Sequence, residues 1–169
     1  MSAPLIPYNR RSAVEYAHTW AYGRNPAYFD YQRLGGDCTN FASQCLYAGA
    51  PVMNWRPETG WYYQNANRKA PAWTGVEFLF RFLTRQEESP GPVAVLVPLE
   101  NALPGDFVQL RFPGASSFGH TPVIVSVGPK PAPDNLLLAA HSMDTDYRPL
   151  DTYDYAQLRI LHILGARKD

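Results

Sequence analysis

In RLGGDCTNFASQCLYAG, residues 33–49, a cysteine follows two glycines and an aspartate where an apolar pattern of helical period begins. Asp37 is a favourable N-cap residue; Phe41, Ala42, Cys45 and Leu46 recur at helical spacing, and Gly49 is a natural C′ residue. Cys38 therefore falls at the first helical position. There, unpaired backbone N–H groups and the positive end of the macrodipole favour thiolate over thiol, which makes Cys38 a candidate nucleophile. Gly35 and Gly36 let the chain turn tightly and leave room above the sulfur for a substrate carbonyl. The same N–H groups are placed to hold its oxyanion. Cys45, two turns further along the apolar face, is expected to be a small core hydrophobe. On one helix the two Cα atoms lie about 10 Å apart, too far for a disulfide, so both cysteines are expected to be free.

A nucleophilic thiol needs a base, and the C-terminal half supplies two candidates. GHTPVIVSVG places His120 at the entry of a β-like run, and NLLLAAHSMD places His141 at the exit of the next. If the two runs pair antiparallel across GPKPAPD, the histidines become neighbours. One imidazole then takes the thiol proton while the second polar group fixes its tautomer. His18 and His162 have no convergent partner in sequence and are expected to be structural. A zinc site from Cys38, Cys45, His120 and His141 does not fit the spacing, because structural sites pair cysteines at C-x2–4-C.

These side chains need elements to hold them. A first helix is expected after Ser12 and Glu15, and a second after the capping-box pair Thr74 and Glu77 before FLFRFL. Short strands are expected at 107–112, 121–127, 136–140 and 158–164. The 169 residues suit one domain over the whole chain, 1–169, and 46% hydrophobic residues can fill a sizeable core. Fifteen Lys and Arg balance fifteen Asp and Glu, leaving no basic field for nucleic acid or anionic lipid. No run reaches the length of a membrane span, and MSAPLIPYNRRSAV lacks the basic-then-apolar order of a signal peptide. The expectation is a cytoplasmic protein, or one exported by a route or segment that this sequence does not display.

GGDCTNFASQCLYAGA, preceded by YNRRSAVEYAHTWAYGRNPAYFDY and followed by WYY and PAW, resembles the bacterial family called putative amidase domain over almost the whole chain. That family is placed among the papain-like cysteine hydrolases, near the NlpC-type and CHAP cell-wall peptidases. In such relatives a helix-start cysteine, a PGD turn, a strand-opening histidine and a polar residue on the next strand occur in that order. Here GGDC, LPGDFVQL, GHTPVIVSVG and LLLAAHS fill those places. The resemblance implies Cys38 as nucleophile, His120 as base and His141 as orienting residue, with Asp144 and Asp146 as competitors for the third place.

The expected fold is α+β and papain-like, with N-terminal helices packed on a short antiparallel sheet. The expected reaction is cysteine-dependent hydrolysis of an amide bond, with no metal or organic cofactor. Asp37, Thr39 and Asp144 are supporting candidates, Asp37 and Asp144 by position and Thr39 through its backbone N–H at the oxyanion. Trp61 and Trp73 are candidates to line a substrate groove, with core packing as the alternative. Kinship with wall peptidases makes a peptidoglycan peptide the expected substrate by analogy, although fold does not determine substrate. Two other readings fit the same shell: a peptide- or glycan-binding module without turnover, and an acyltransferase or thioesterase using the same dyad.

Overall fold

The computed structural model describes residues 3–168. Helix α1 (Arg10–Trp20) leads to α2 (Cys38–Gly49), a small hairpin of β1 (Tyr63–Asn65) and β2 (Arg68–Lys69), and the short helices α3 (Pro71–Thr74) and α4 (Val76–Leu83). The remaining strands are β3 (Gly91–Val97), β4 (Phe107–Arg111), β5 (Val123–Ser126), β6 (Leu137–Ala140), β7 (Thr145–Pro149) and β8 (Gln157–Arg167). They form one curled antiparallel sheet in the order β3-β8-β4-β5-β6-β7. The architecture is α+β, with the helices preceding all six strands in sequence.

Strand parity explains why these segments read as nearly continuous apolar runs. Phe107, Val123, Ala139 and Leu161 face the helices, whereas their neighbours Val108, Ile124, Leu138 and Ile160 enter a second cluster with Leu136 and Leu150 on the other face. Both faces are buried, so alternation between apolar and polar residues is lost. The same pattern carries β8 well beyond its expected length, to pair with both β3 and β4.

The helix starts differ from expectation. α1 begins at Arg10, capped by the Asn9 side chain, which accepts from the Ser12 N–H at 3.0 Å. Glu15 instead pairs with Arg11 on the surface. Thr74 ends α3, Gly75 caps α4 without a side-chain bond, and Glu77 reaches Arg159 at 2.8 Å. Gly49 is the last residue of α2, not a C′ residue. A Cβ there would fall 2.6 Å from the Asn9 carbonyl, so close approach of the N-terminal segment requires glycine.

The PGD turn is fastened to the N-terminus through the fully buried Asp106. Its carboxylate accepts from Arg10 at 2.7 Å, from the backbone of Leu103 and Ile163, and from His162 Nδ1 at 2.8 Å. Arg10 also donates to the Pro104 and Ile163 carbonyls. A carboxylate with all these donors is a stable buried anion, and it locks α1, the turn and β8 together. His162 has a structural role here, and His18, paired with Asp146 and stacked on Tyr147, makes a separate surface contact.

Candidate active site

α2 is buried nearly all round, and its polar residues are paired to suit that position. Asn40 donates to the Phe29 carbonyl and Asp37 and accepts from the Trp73 indole; Ser43 donates to the Trp73 carbonyl and accepts from Trp61. These bonds settle the places of Trp61 and Trp73. Both are fully buried, 4.6 Å apart, behind α2. They do not line a groove: the indole N–H groups have partners inside the core, so the rings lose nothing polar on burial. Asn40 and Ser43, polar residues inside the apolar pattern of α2, were the signal in the sequence that could have shown this.

Cys38 is the first residue of α2 and Asp37 its N-cap position, yet the carboxylate does not cap the helix. Asp37 Oδ1 accepts from the Tyr31 N–H at 2.8 Å and from Asn40 at 2.9 Å, and Oδ2 lies 2.5 Å from His141 Nδ1. Asp37 thus fixes the turn before Cys38. The turn also requires its glycines, since φ is +94° at Gly35 and +102° at Gly36. A Cβ at Gly36 would lie 3.1 Å from Ser142 Oγ, the atom that accepts the Asp37 N–H.

Cys38 and His120 line one cavity of about 690 Å³, together with Gln32, Gly35, Ser142, Arg148 and Tyr153 among others. Cys45 is fully buried elsewhere in the core, and both cysteines are free. Burial pushes the Cys38 thiol up, against the opposing pull of the Thr121 and Thr39 backbone and the Thr39 hydroxyl. The helix-start effect expected from sequence is therefore outweighed by desolvation in this closed geometry. Burial first, and the Arg148 charge second, push His120 down to about 4. At neutral pH the resting pair is a neutral thiol and a neutral imidazole.

A chain of polar groups ends at the sulfur. Arg159 donates twice to Gln109 Oε1, at 2.9 and 2.6 Å, and Gln109 Nε2 donates to Thr121 Oγ1 at 3.3 Å. Thr121 Oγ1 lies 3.1 Å from Thr39 Oγ1, which lies 3.8 Å from Cys38 Sγ. With the amide donating into Thr121, the hydroxyl protons can run onward to the sulfur when it loses its own. Thr39 thus meets the Cys38 sulfur through its side chain.

His141 is where the register departs from expectation. β5 and β6 do pair antiparallel, with Val123 opposite Ala139. Continuing that register sets His141 opposite Thr121, and side chains one residue apart on a strand project to opposite faces. Thr121 and His141 face α2, while the His120 ring lies near Phe112 and Tyr153 on the other side. His141 stacks on Phe41 at 4.1 Å, and its Nε2 donates to the Trp20 carbonyl at 2.8 Å. With Nδ1 on Asp37, neither nitrogen is left to accept from His120. The expected His120–His141 hydrogen bond is absent, and among the described residues the His120 ring has no hydrogen-bond partner.

Asp144 pairs with Arg24 at 2.8 Å at the exposed end of the turn, and Asp146 with His18. Neither touches His120. The cavity also contains a residue that sequence reasoning passed over: Gln32 accepts from Ser142 Oγ at 3.3 Å, and among the described residues its Nε2 donor has no partner. Its position six residues before Cys38 was visible in the chain, but only the glycine turn brings it back to the site. No group of three or more His, Cys, Asp or Glu side chains among the described residues could hold a metal ion.

Fold and site together define an α+β protein with a buried thiol and imidazole sharing one cavity. The putative amidase domain model matches residues 7–164, and the chain belongs to that family, whose description points to hydrolysis of an amide. It is similar to the uncharacterized protein YhbB of Bacillus subtilis (strain 168), 33% identical over 121 residues, covering 70% of this chain and 37% of that relative. The chain thus spans little more than a third of that relative's length. No solved structure matches it.

Proposed function

We propose that the protein is a papain-like cysteine hydrolase that cleaves an amide bond through an acyl-enzyme on Cys38, with His120 as its base. The observation that carries this reading is the shared cavity, which a helix-start thiol and a neutral imidazole both line, with the Gln32 amide at its wall. As substrate binds, His120 takes the thiol proton and the sulfur attacks the carbonyl carbon. The Thr39 hydroxyl, at the end of its chain from Arg159, stabilises the thiolate as it forms. The N–H groups of Cys38 and Thr39, together with the Gln32 amide, receive the oxyanion. The tetrahedral intermediate collapses, the C–N bond breaks, and His120 returns its proton to the departing amine. Water then attacks the thioester with His120 again as base, releasing the acid and the thiol.

In this reading Asp37 and His141 are positioning residues. They hold the turn that presents Cys38 and do not touch substrate. Asp144 only fastens the rim through Arg24. A peptide is the favoured substrate because the cavity has the size of a short peptide site and apolar walls from Phe112, Pro113, Met143 and Tyr153. Kinship with the NlpC-type and CHAP peptidases makes a cell-wall peptide the first candidate. The test is release of amino groups from a panel of short peptides and from solubilised peptidoglycan peptides. Cys38→Ala should abolish release and His120→Ala should lower it by at least about a hundredfold. Turnover that survives Cys38→Ala would overturn the assignment.

A further inference from the structure

Arg148 is an unusual member of the cavity wall. It lies on β7 and is held from two sides: Nε and Nη2 donate to the hydroxyl and carbonyl of Thr152, at 2.8 and 2.9 Å, and the guanidinium lies 3.7 Å from the centre of the Tyr153 ring. A long cation fixed this way has already lost its rotamer freedom. Among the described residues, however, no carboxylate lies within ion-pairing distance of it. The other charged residue of the wall, Asp154, is exposed, where solvent screens it, and does not pair with Arg148. Other arginines near the site behave differently: Arg24 has Asp144 and Asp30, and Arg159 has Glu77. Arg148 thus brings a half-buried, preorganised cation, with no ion-pair partner among the described residues, to the cavity shared by Cys38 and His120.

Resting on the hydrolase reading above, we propose that Arg148 selects substrates carrying a carboxylate beside the scissile amide, so that the enzyme acts on acidic peptides or amides of acidic amino acids. The planar guanidinium suits a carboxylate, and binding one there supplies the counter-ion that the fold omits. There is a consequence for the base. Burial contributes most to the low basicity of His120, but the Arg148 charge adds to it, and an anionic substrate offsets that contribution as it arrives. His120 then becomes a better proton acceptor when the correct substrate is seated.

The test uses two alkylating reagents of nearly equal size, one anionic and one neutral. The rate of Cys38 labelling by iodoacetate is divided by that by iodoacetamide, with the modified residue mapped by mass. The wild-type ratio should exceed that of Arg148→Gln roughly tenfold, the worth of one charge-assisted hydrogen bond. Arg148→Lys should fall between them, and Arg81→Gln, an equal change in net charge away from the cavity, should leave the ratio unchanged. In wild type alone the ratio should fall as salt rises from about 0.01 to about 1 M, where the screening length shrinks from about 30 to about 3 Å. That arm stands even if Arg148→Gln does not fold. Turnover should agree: a peptide with a free side-chain carboxylate should outperform its carboxamide analogue in wild type and lose that advantage in Arg148→Gln. Equal ratios in wild type and Arg148→Gln, with Cys38 labelled in both, would overturn carboxylate selection and leave the nucleophile in place. Failure of both reagents to label Cys38 would overturn the hydrolase reading and this proposal with it.

Discussion

Replacing His141 by alanine distinguishes positioning from catalysis. The ring is nearly fully buried, and its loss leaves Asp37 Oδ2 and the Trp20 carbonyl without their donors. Each orphaned buried acceptor costs about 1–3 kcal/mol, and the lost face-to-face contact with Phe41 about 0.5–1.5 kcal/mol more. The sum, about 2.5–7.5 kcal/mol, brackets the roughly 3–5 kcal/mol that breaking a buried ion pair costs elsewhere. Urea unfolding followed by tryptophan fluorescence measures it; at a slope of about 2 kcal/mol per M the midpoint should drop by roughly 2 M. Activity should fall as well, because the turn carrying Cys38 loosens. Asp144→Ala, which breaks only the rim contact with Arg24, should cost under about 1 kcal/mol. If His141→Ala abolishes hydrolysis yet loses less than about 1 kcal/mol of stability, His141 serves the reaction directly and the positioning argument fails.

Two other outcomes follow from the same geometry. Between pH 7 and pH 4 the unfolded chain protonates His120 near 6.5 while the folded protein holds it neutral down to about 4, so stability falls as pH falls through that window. At pH 4 the loss is about 3 kcal/mol by linkage, and His120→Gln, compared by urea unfolding at both pH values, should be free of that part of the slope. Thr39→Val removes the hydroxyl facing the sulfur, and alkylation of Cys38 at neutral pH should slow by about fivefold, the worth of one hydrogen bond. An unchanged rate would show that the chain from Arg159 does not reach the thiolate.

The candidate nucleophile and base were legible because their signals are local. A cysteine after GGD at a helix start and a histidine opening a strand need no tertiary information, and the β5–β6 pairing follows from the turn between them. The role of His141 was not legible, since a one-residue shift in parity sends a side chain to the other face of the sheet, and only the register fixes parity. Trp61 and Trp73 stayed open between groove and packing in the sequence, because an aromatic cluster beside a candidate nucleophile looks the same whether it lines a groove or fills a core. β3 and β7 went unrecognised for different reasons. β3 carries the apolar run VAVLV but opens on Gly-Pro, which marks a turn, whereas β7 is the polar TDYRP at the sheet edge and offers no apolar pattern. Arg148 lies on that inconspicuous strand, which is why its place in the cavity of Cys38 emerges only from the fold.

The most direct measurement is intact-protein mass spectrometry after brief exposure to an activated acyl ester, followed by peptide mapping. The account predicts one acyl group, on Cys38, that is absent in Cys38→Ala, forms slowly in His120→Ala, and disappears with time in wild type as water releases it. An adduct mapping to Cys45, or none on Cys38 in correctly folded protein, would contradict it.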